Sequence, residues 1–248
     1  MKSSSHQNQT AYTKKPTAAV FTAALLVLAG TAPVHADLGA NSLKTPKVIQ
    51  PGATPYGKSY GEWEAAWNQW AFALPVENHP FTDSPNIDFS AGQSGPVWFL
   101  AGAGTTERAA TIPSGKALFV ALVSAECSSL ELDPFHGDTA EQQAACAKFF
   151  ADHIHGVFCV IDGHSVNGIQ NYRVASPQYT FTAPTPWIFG DVGGTGTSVS
   201  DGYWVMLAPL SKGAHTLHFG GTFHFAVAEG DPFDADFGID ETYDLTIQ

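Results

Sequence analysis

From residue 156 to the C-terminus the chain breaks into short apolar runs separated by Gly, Asp, Asn and Pro, and none of them keeps a 3.6-residue period. A chain divided in this way buries its apolar residues as short strands joined by turns. Val157–Ile161 runs into Asp162-Gly163, a dipeptide suited to two-residue hairpins because both positions tolerate a positive φ. Tyr172–Ala175 and Gln178–Thr182 follow, the second alternating Tyr179 and Phe181 with Gln178, Thr180 and Thr182. Tyr203–Leu207, His215–Phe219, Thr222–Ala228 and Thr242–Ile247 read as further strands. Upstream, Val97–Ala101 and Ala117–Ser124 are apolar runs of strand length, whereas Thr105–Pro113 reads as a turn region and Gly190–Gly202 as a glycine-rich surface loop. There is no strand–helix alternation and no internal repeat. The expected fold is therefore mainly β: an antiparallel, jelly-roll-like β-sandwich forming one domain over residues 59–248.

Two segments carry a helical period instead, about 60–74 and 139–153, and both are expected to pack on the sandwich. In the first, Tyr60, Trp63, Trp67, Trp70 and Leu74 fall on one face, and Pro75 ends the run. In the second, Asp138 or Thr139 is the N-cap, and Thr139 with Gln142 fits a capping box. Trp63, Trp67 and Trp70 are candidate ligand-binding residues, since aromatic platforms bind sugars and other flat faces. A helix laid on a sheet also needs a bulky apolar stripe, and large aromatics bury about 150–250 Å² each, so core packing is the stronger reading.

The N-terminus sets the compartment. Lys14 and Lys15 precede the apolar run Ala18–Ala29, and Val34-His35-Ala36 has the form of a signal-peptidase site. Residues 1–36 thus read as a signal peptide cleaved near Ala36, and residues 37–58 as an extended N-terminal arm. The run is shorter than the roughly 20 residues a bilayer span requires, and no later run is longer, so no membrane span is expected. The product is expected in the periplasm or outside the cell. Net charge is −12 for the whole chain, and the leader contributes Lys2, Lys14 and Lys15 without an acid, so the mature protein is more acidic still. Nucleic acid is excluded as a partner by that charge. Three Cys follow the leader, and in an oxidising compartment an odd count implies one bridge and one free thiol. Cys159 lies inside an unbroken apolar run, so the expected disulfide joins Cys127 to Cys146.

Four segments together carry a resemblance. They are Tyr60-Gly61-Glu62-Trp63 with Trp67 and Trp70, Gly92 to Gly102 (GQSGPVWFLAG), Ile112 to Phe119 (IPSGKALF), and Asp201 to Val205 (DGYWV) with Pro209-Leu210 and Gly213-x-His215. In these the chain resembles a family of uncharacterised exported bacterial proteins. The resemblance spans most of the mature chain. It implies export and a β-rich fold, and it lends no catalytic residue.

Chemistry-bearing residues are sparse. Glu62, Glu126 and Arg108 are the candidates for a catalytic role, although Glu62 also suits the first turn of a helix, where acids complement the dipole. His153 and His155, with Asp234 and Asp236 from the acidic run 229–241, are candidate ligands for a transition metal or calcium; a helix-ending His and a solvated acidic loop are the simpler readings. No cofactor is otherwise expected. There is no G-x-S-x-G elbow, H-E-x-x-H or P-loop, and a Ser-His-Asp triad is assembled in space rather than in sequence. The leading expectation is a non-catalytic exported protein that binds a glycan or an envelope protein partner. The alternative is a secreted glycan hydrolase or lyase.

Overall fold

The computed structural model describes residues 46–82, 84 and 87–248. The expected leader, its cleavage point at Ala36 and the arm up to residue 45 lie outside the described residues. In order, the elements are β1 (Val48–Ile49), α1 (Tyr60–Phe72), β2 (Val97–Leu100), β3 (Thr105–Ile112), β4 (Ala117–Ser128), α2 (Ala140–Asp152), β5 (Ile154–Ile161), β6 (His164–Ser165), β7 (Arg173–Ala175), β8 (Tyr179–Ala183), β9 (Gly194–Leu207), β10 (Gly213–Phe225) and β11 (Ala235–Ile247).

The fold is mainly β with two helices, and its strands form two sheets. In the first, β8, β7 and β1 pair in turn along one edge of β9, β4 takes the other edge, and β2 lies beyond β4. The second runs β3–β11–β10–β5–β6. The sheets meet through β4, which contacts β10, β5 and β11. Most neighbours are antiparallel, but β2 pairs with β4, and β3 with β11, in parallel, so both sheets are mixed. Side-chain alternation is the same in both directions, which is why the sequence pattern did not distinguish them.

Local signals account for the helices and one hairpin. Ser59 and Glu62 form a reciprocal capping box on α1, and Thr139 and Gln142 form the expected one on α2. The Trp face is buried: Trp63, Trp67 and Trp70 are 7%, 3% and 8% exposed, and their indole N–H groups donate to the carbonyls of Pro55, Leu100 and Ala91. The expected Asp162-Gly163 turn joins Ile161 to His164, with both φ values positive, at 50° and 77°.

Two expectations are corrected. Thr105–Pro113 is not a turn region: residues 105–112 form β3, with Arg108, Ala110 and Ile112 turned inward. Two of the three inward residues after Glu107 are Ala and Arg, so the alternation carries almost no hydrophobic signal. Gly190–Gly202 is not a surface loop either, since from Gly194 onward it is β9, the spine of the first sheet. Gly196 and Gly202 answer close approach rather than turning. A Cβ on Gly202 would lie 2.4 Å from the Ser124 Cα, and one on Gly196 would lie 2.6 Å from the Leu130 side chain.

Cys127 is bonded to Cys146, with Cα atoms 6.0 Å apart, and Cys159 is a buried free thiol. The bridge ties the end of β4 to α2 across a sequence separation of 19. Reduction should lower the unfolding free energy by about 3 kcal/mol through the loop it releases; an unchanged denaturation midpoint in reductant would refute this. Trp67→Ala should cost about 3–5 kcal/mol, since burial is lost and a cavity is left. Urea denaturation checks it, and a variant as stable as the parent would show that Trp67 is not part of the core.

Candidate functional site

β4 is paired with β9 along almost its whole length, but with β2 only as far as Val120. Past that point β2 has ended and the chain turns away at Gly102. The space it leaves is a cleft of about 450 Å³. Trp67 and Phe72 of α1 form one wall with Phe189, while Phe150 of α2, Phe223 of β10 and Phe237 and Ile239 of β11 form the other. The floor carries Asn68, Ser124, Glu126 and Glu131, and no Lys, Arg or His is among the lining residues. A second hollow of about 460 Å³ shares Phe81, Gly102, Phe223, Phe237 and Ile239 with the first and extends it along Thr82, Ala103, Gly104 and Gly238.

Burial shifts both carboxyls on the floor toward their neutral form. Burial pushes Glu126 well above the usual carboxylate range, and the adjacent Glu131 raises it further. Burial likewise raises Glu131, whose Oε2 accepts from the Ser128 hydroxyl at 2.9 Å. The Ser198 hydroxyl bonds Glu126 and also receives the Tyr179 phenol at 3.1 Å. Behind this pair, Glu64 is fully buried on α1 against Ser200 and Trp204, and burial pushes its carboxyl well above the usual range too. Asn68, which also lines the cleft, donates to the Glu64 carbonyl at 3.1 Å and to Ser200 Oγ at 2.9 Å. A protonated carboxyl offers both a donor and an acceptor, so the floor can hydrogen-bond a neutral polar group without placing a charge in the cleft.

Of the candidate catalytic residues, only Glu126 faces this site. Glu62 is exposed and spent on capping: the Ser59 amide donates to its Oε2 at 2.7 Å, which holds its carboxyl below the usual range. Arg108 is buried elsewhere, 3.2 Å from Glu241 and bonded to the carbonyls of Pro80 and Thr82. Of the three Trp, only Trp67 reaches the cleft; Trp63 and Trp70 serve the core and offer no exposed platform.

The metal candidates are not brought together. His153 caps α2 and bonds Asp231 at 2.8 Å, and the exposed His155 has its ring 6.1 Å from that of His224. Asp236 pairs with His224 at 2.6 Å, and Asp234 accepts from the Val227 amide at 2.8 Å. Among the described residues no group of three or more His, Cys, Asp or Glu side chains is placed to hold a metal ion. The acidic run is thus a turn followed by a strand, its acids engaged by neighbouring His and backbone groups.

One arrangement has the outline of a triad: His215 Nδ1 lies 2.7 Å from Asp162 Oδ2, and its Nε2 lies 3.3 Å from Ser211 Oγ. That Nε2 also lies 2.8 Å from the Ser211 carbonyl oxygen, which only accepts. The nitrogen that would take a serine proton is already engaged as a donor, so the trio fastens two turns together.

Sequence reasoning set Glu64 aside, as one of a poor acid/base pair with Glu62, and missed Glu131 and the Phe wall. The spacing of Glu62 and Glu64 does put them on different helix faces, but only the packed fold shows that the second face is buried as well. Because the folded state raises the Glu64 carboxyl above its ordinary 4.5, its stabilising contribution is complete below that pH and is lost as pH rises through the folded value. Glu64→Gln should therefore lose less thermal stability than the parent as pH rises above 4.5. Melting curves across that range test it, and parallel declines would show that the carboxyl ionises as freely folded as unfolded.

No protein-family model matches the chain, and no curated protein matches it. Among solved structures, the solution structure of Amebosin aligns with 58% of this chain and 100% of its own, at 10% identity and a TM-score of 0.16, a likeness too slight to carry a structural or functional argument.

Proposed function

We propose that the protein is an exported binding protein that holds an uncharged, largely apolar ligand in the cleft beside β4 without transforming it. The observation that carries this reading is an aromatic-walled cleft of about 450 Å³ with buried carboxyl groups on its floor and no cationic side chain in its lining. Sites that take small molecules are apolar concavities of roughly 300–1,000 Å³ with a few convergent polar groups. An anionic ligand would find no counter-charge here. The leader, the Cys127–Cys146 bridge and the resemblance to exported bacterial proteins support placement in an oxidising compartment outside the cytoplasm. No helix among the described residues is long and apolar enough to cross a membrane.

The alternative, a glycan hydrolase or lyase, draws its support from Glu126, since a carboxyl protonated at neutral pH suits a general acid. Glycoside hydrolysis also needs a second carboxylate across the scissile bond, about 5–9.5 Å from the first. Glu131 instead lies against Glu126 on the same wall, which favours binding over cleavage.

A neutral, environment-sensitive dye such as Nile red tests the proposal. Its fluorescence should rise and shift to the blue on titration with the protein. Phe237→Ser, at a half-exposed position on the cleft wall, should weaken binding about ten-fold while leaving the melting temperature nearly unchanged. Failure of the parent to bind the dye, or equal binding by the variant, would overturn the reading.

A further inference from the structure

We propose that the natural occupant of the cleft is an extended, uncharged segment of another protein, which adds to the first sheet by pairing its backbone with the free edge of β4. This rests on the ligand-binding reading of the cleft and names the class of ligand.

Three observations support it. First, the edge is open. β2 covers it up to Val120, and the Phe135–Gly137 segment closes on it again at Ser128, where the Ser128 amide donates to Phe135 and its carbonyl accepts from Gly137. Among the described residues no strand pairs with that edge between Ala121 and Cys127. At about 3.3 Å per residue the gap is roughly 20 Å long, enough for a short added strand.

Second, the cleft follows the edge and does not lie over a face. Ala121, Val123, Ser124, Ala125 and Glu126 all line it, whereas a hollow over one face of a strand would meet only alternate residues. The backbone direction follows from the two bonds at Ser128, which point away from β9, while the next residue, Ser129, donates to Thr197 on the β9 side. β4 and β9 keep one register from Val123 to Ser128. Backbone groups alternate between the two edges of an antiparallel strand, so those of Ser124 and Glu126 point into the cleft. Such groups form the template for strand addition, in which main-chain bonds supply affinity and flanking pockets supply specificity.

Third, the walls suit the side chains of an added strand. Successive residues would point to opposite faces, one toward Trp67 and Phe72, the other toward Phe150 and Phe223. Both sides are aromatic and neither bears a cation, so the matching segment is apolar on both faces and free of acids.

The test is amide hydrogen exchange on the whole protein with a capped six-residue peptide alternating Val, Phe and Thr. The amides of Ser124 and Glu126 should slow at least ten-fold on saturation. Two peptides methylated on alternate backbone nitrogens should then separate: the set facing β4 should lose at least ten-fold in affinity, and the set facing away should bind as the parent peptide does. Equal affinity of the two methylated peptides, or dye binding without peptide protection, would overturn strand pairing and leave the cleft reading intact. Loss of both dye and peptide binding would overturn both. Protection of Ser124 and Glu126 that rises with protein concentration in the absence of peptide would assign the edge to a second copy of the chain and also refute the proposal.

Discussion

Burial of β4 on both faces is the constraint on which the rest of the structure depends. Every residue from Ala117 to Val123 is buried, and no single layer could achieve that. The Tyr60 ring meets Phe119 on the α1 side, with centroids 5.5 Å apart, and Phe119 stacks on Trp204 of the neighbouring strand at 5.2 Å. Leu217, Phe219, Tyr243 and Leu245 of the second sheet complete the same core. A strand so enclosed reads as a continuous apolar run, which in an antiparallel setting is unusual and signals cover from both sides.

Where that cover thins, the character of β4 changes. Beyond Val123 the strand carries Ser124, Glu126 and Ser128, and across from it β9 carries Ser198, Ser200 and Asp201. The two serines of β9 are hydrogen-bonded inside the protein, Ser200 to Asn68 and Ser176 and Ser198 to Tyr179. Burial pushes the Glu126 carboxyl toward its protonated form, which lessens the cost of a buried charge. The result is a polar floor under aromatic walls beside the stretch of β4 that, among the described residues, pairs with no strand on that edge. Asp201 differs in having a bidentate cationic partner, since Arg173 donates to both of its oxygens at 2.9 and 2.7 Å.

The second sheet handles its acids in another way. Asp236 lies directly opposite His224 on β10 and Asp240 lies diagonally from His218, and each pair is hydrogen-bonded across the ladder. Glu241, turned inward, lies against Arg108 from β3. The parallel β3–β11 pairing thus brings together an Arg and a Glu more than a hundred residues apart. Cross-strand pairing explains why a run that looks like a solvated acidic loop is mostly an ordered strand.

Features with a local cause were legible in the chain itself. The two helices follow from their period and from Ser, Thr, Glu and Gln at the cap positions, the hairpin at Asp162-Gly163 from residues that accept positive φ, and the disulfide from an odd Cys count with one thiol inside an apolar run. Each depends on interactions among residues close in sequence or on a count. Strand direction, the inclusion of β3 and the role of β9 as the spine were decided elsewhere, by which edges met. Small inward residues and close-packed glycines leave no periodic trace of such meetings. The same holds for the site: Glu126 was visible as an acid beside an apolar strand, but the upward shift of its carboxyl, its neighbour Glu131 and the burial of Glu64 depend on desolvation by residues distant in sequence. Tertiary structure alone could remove those carboxyls from water, and it alone left the edge of β4 uncovered.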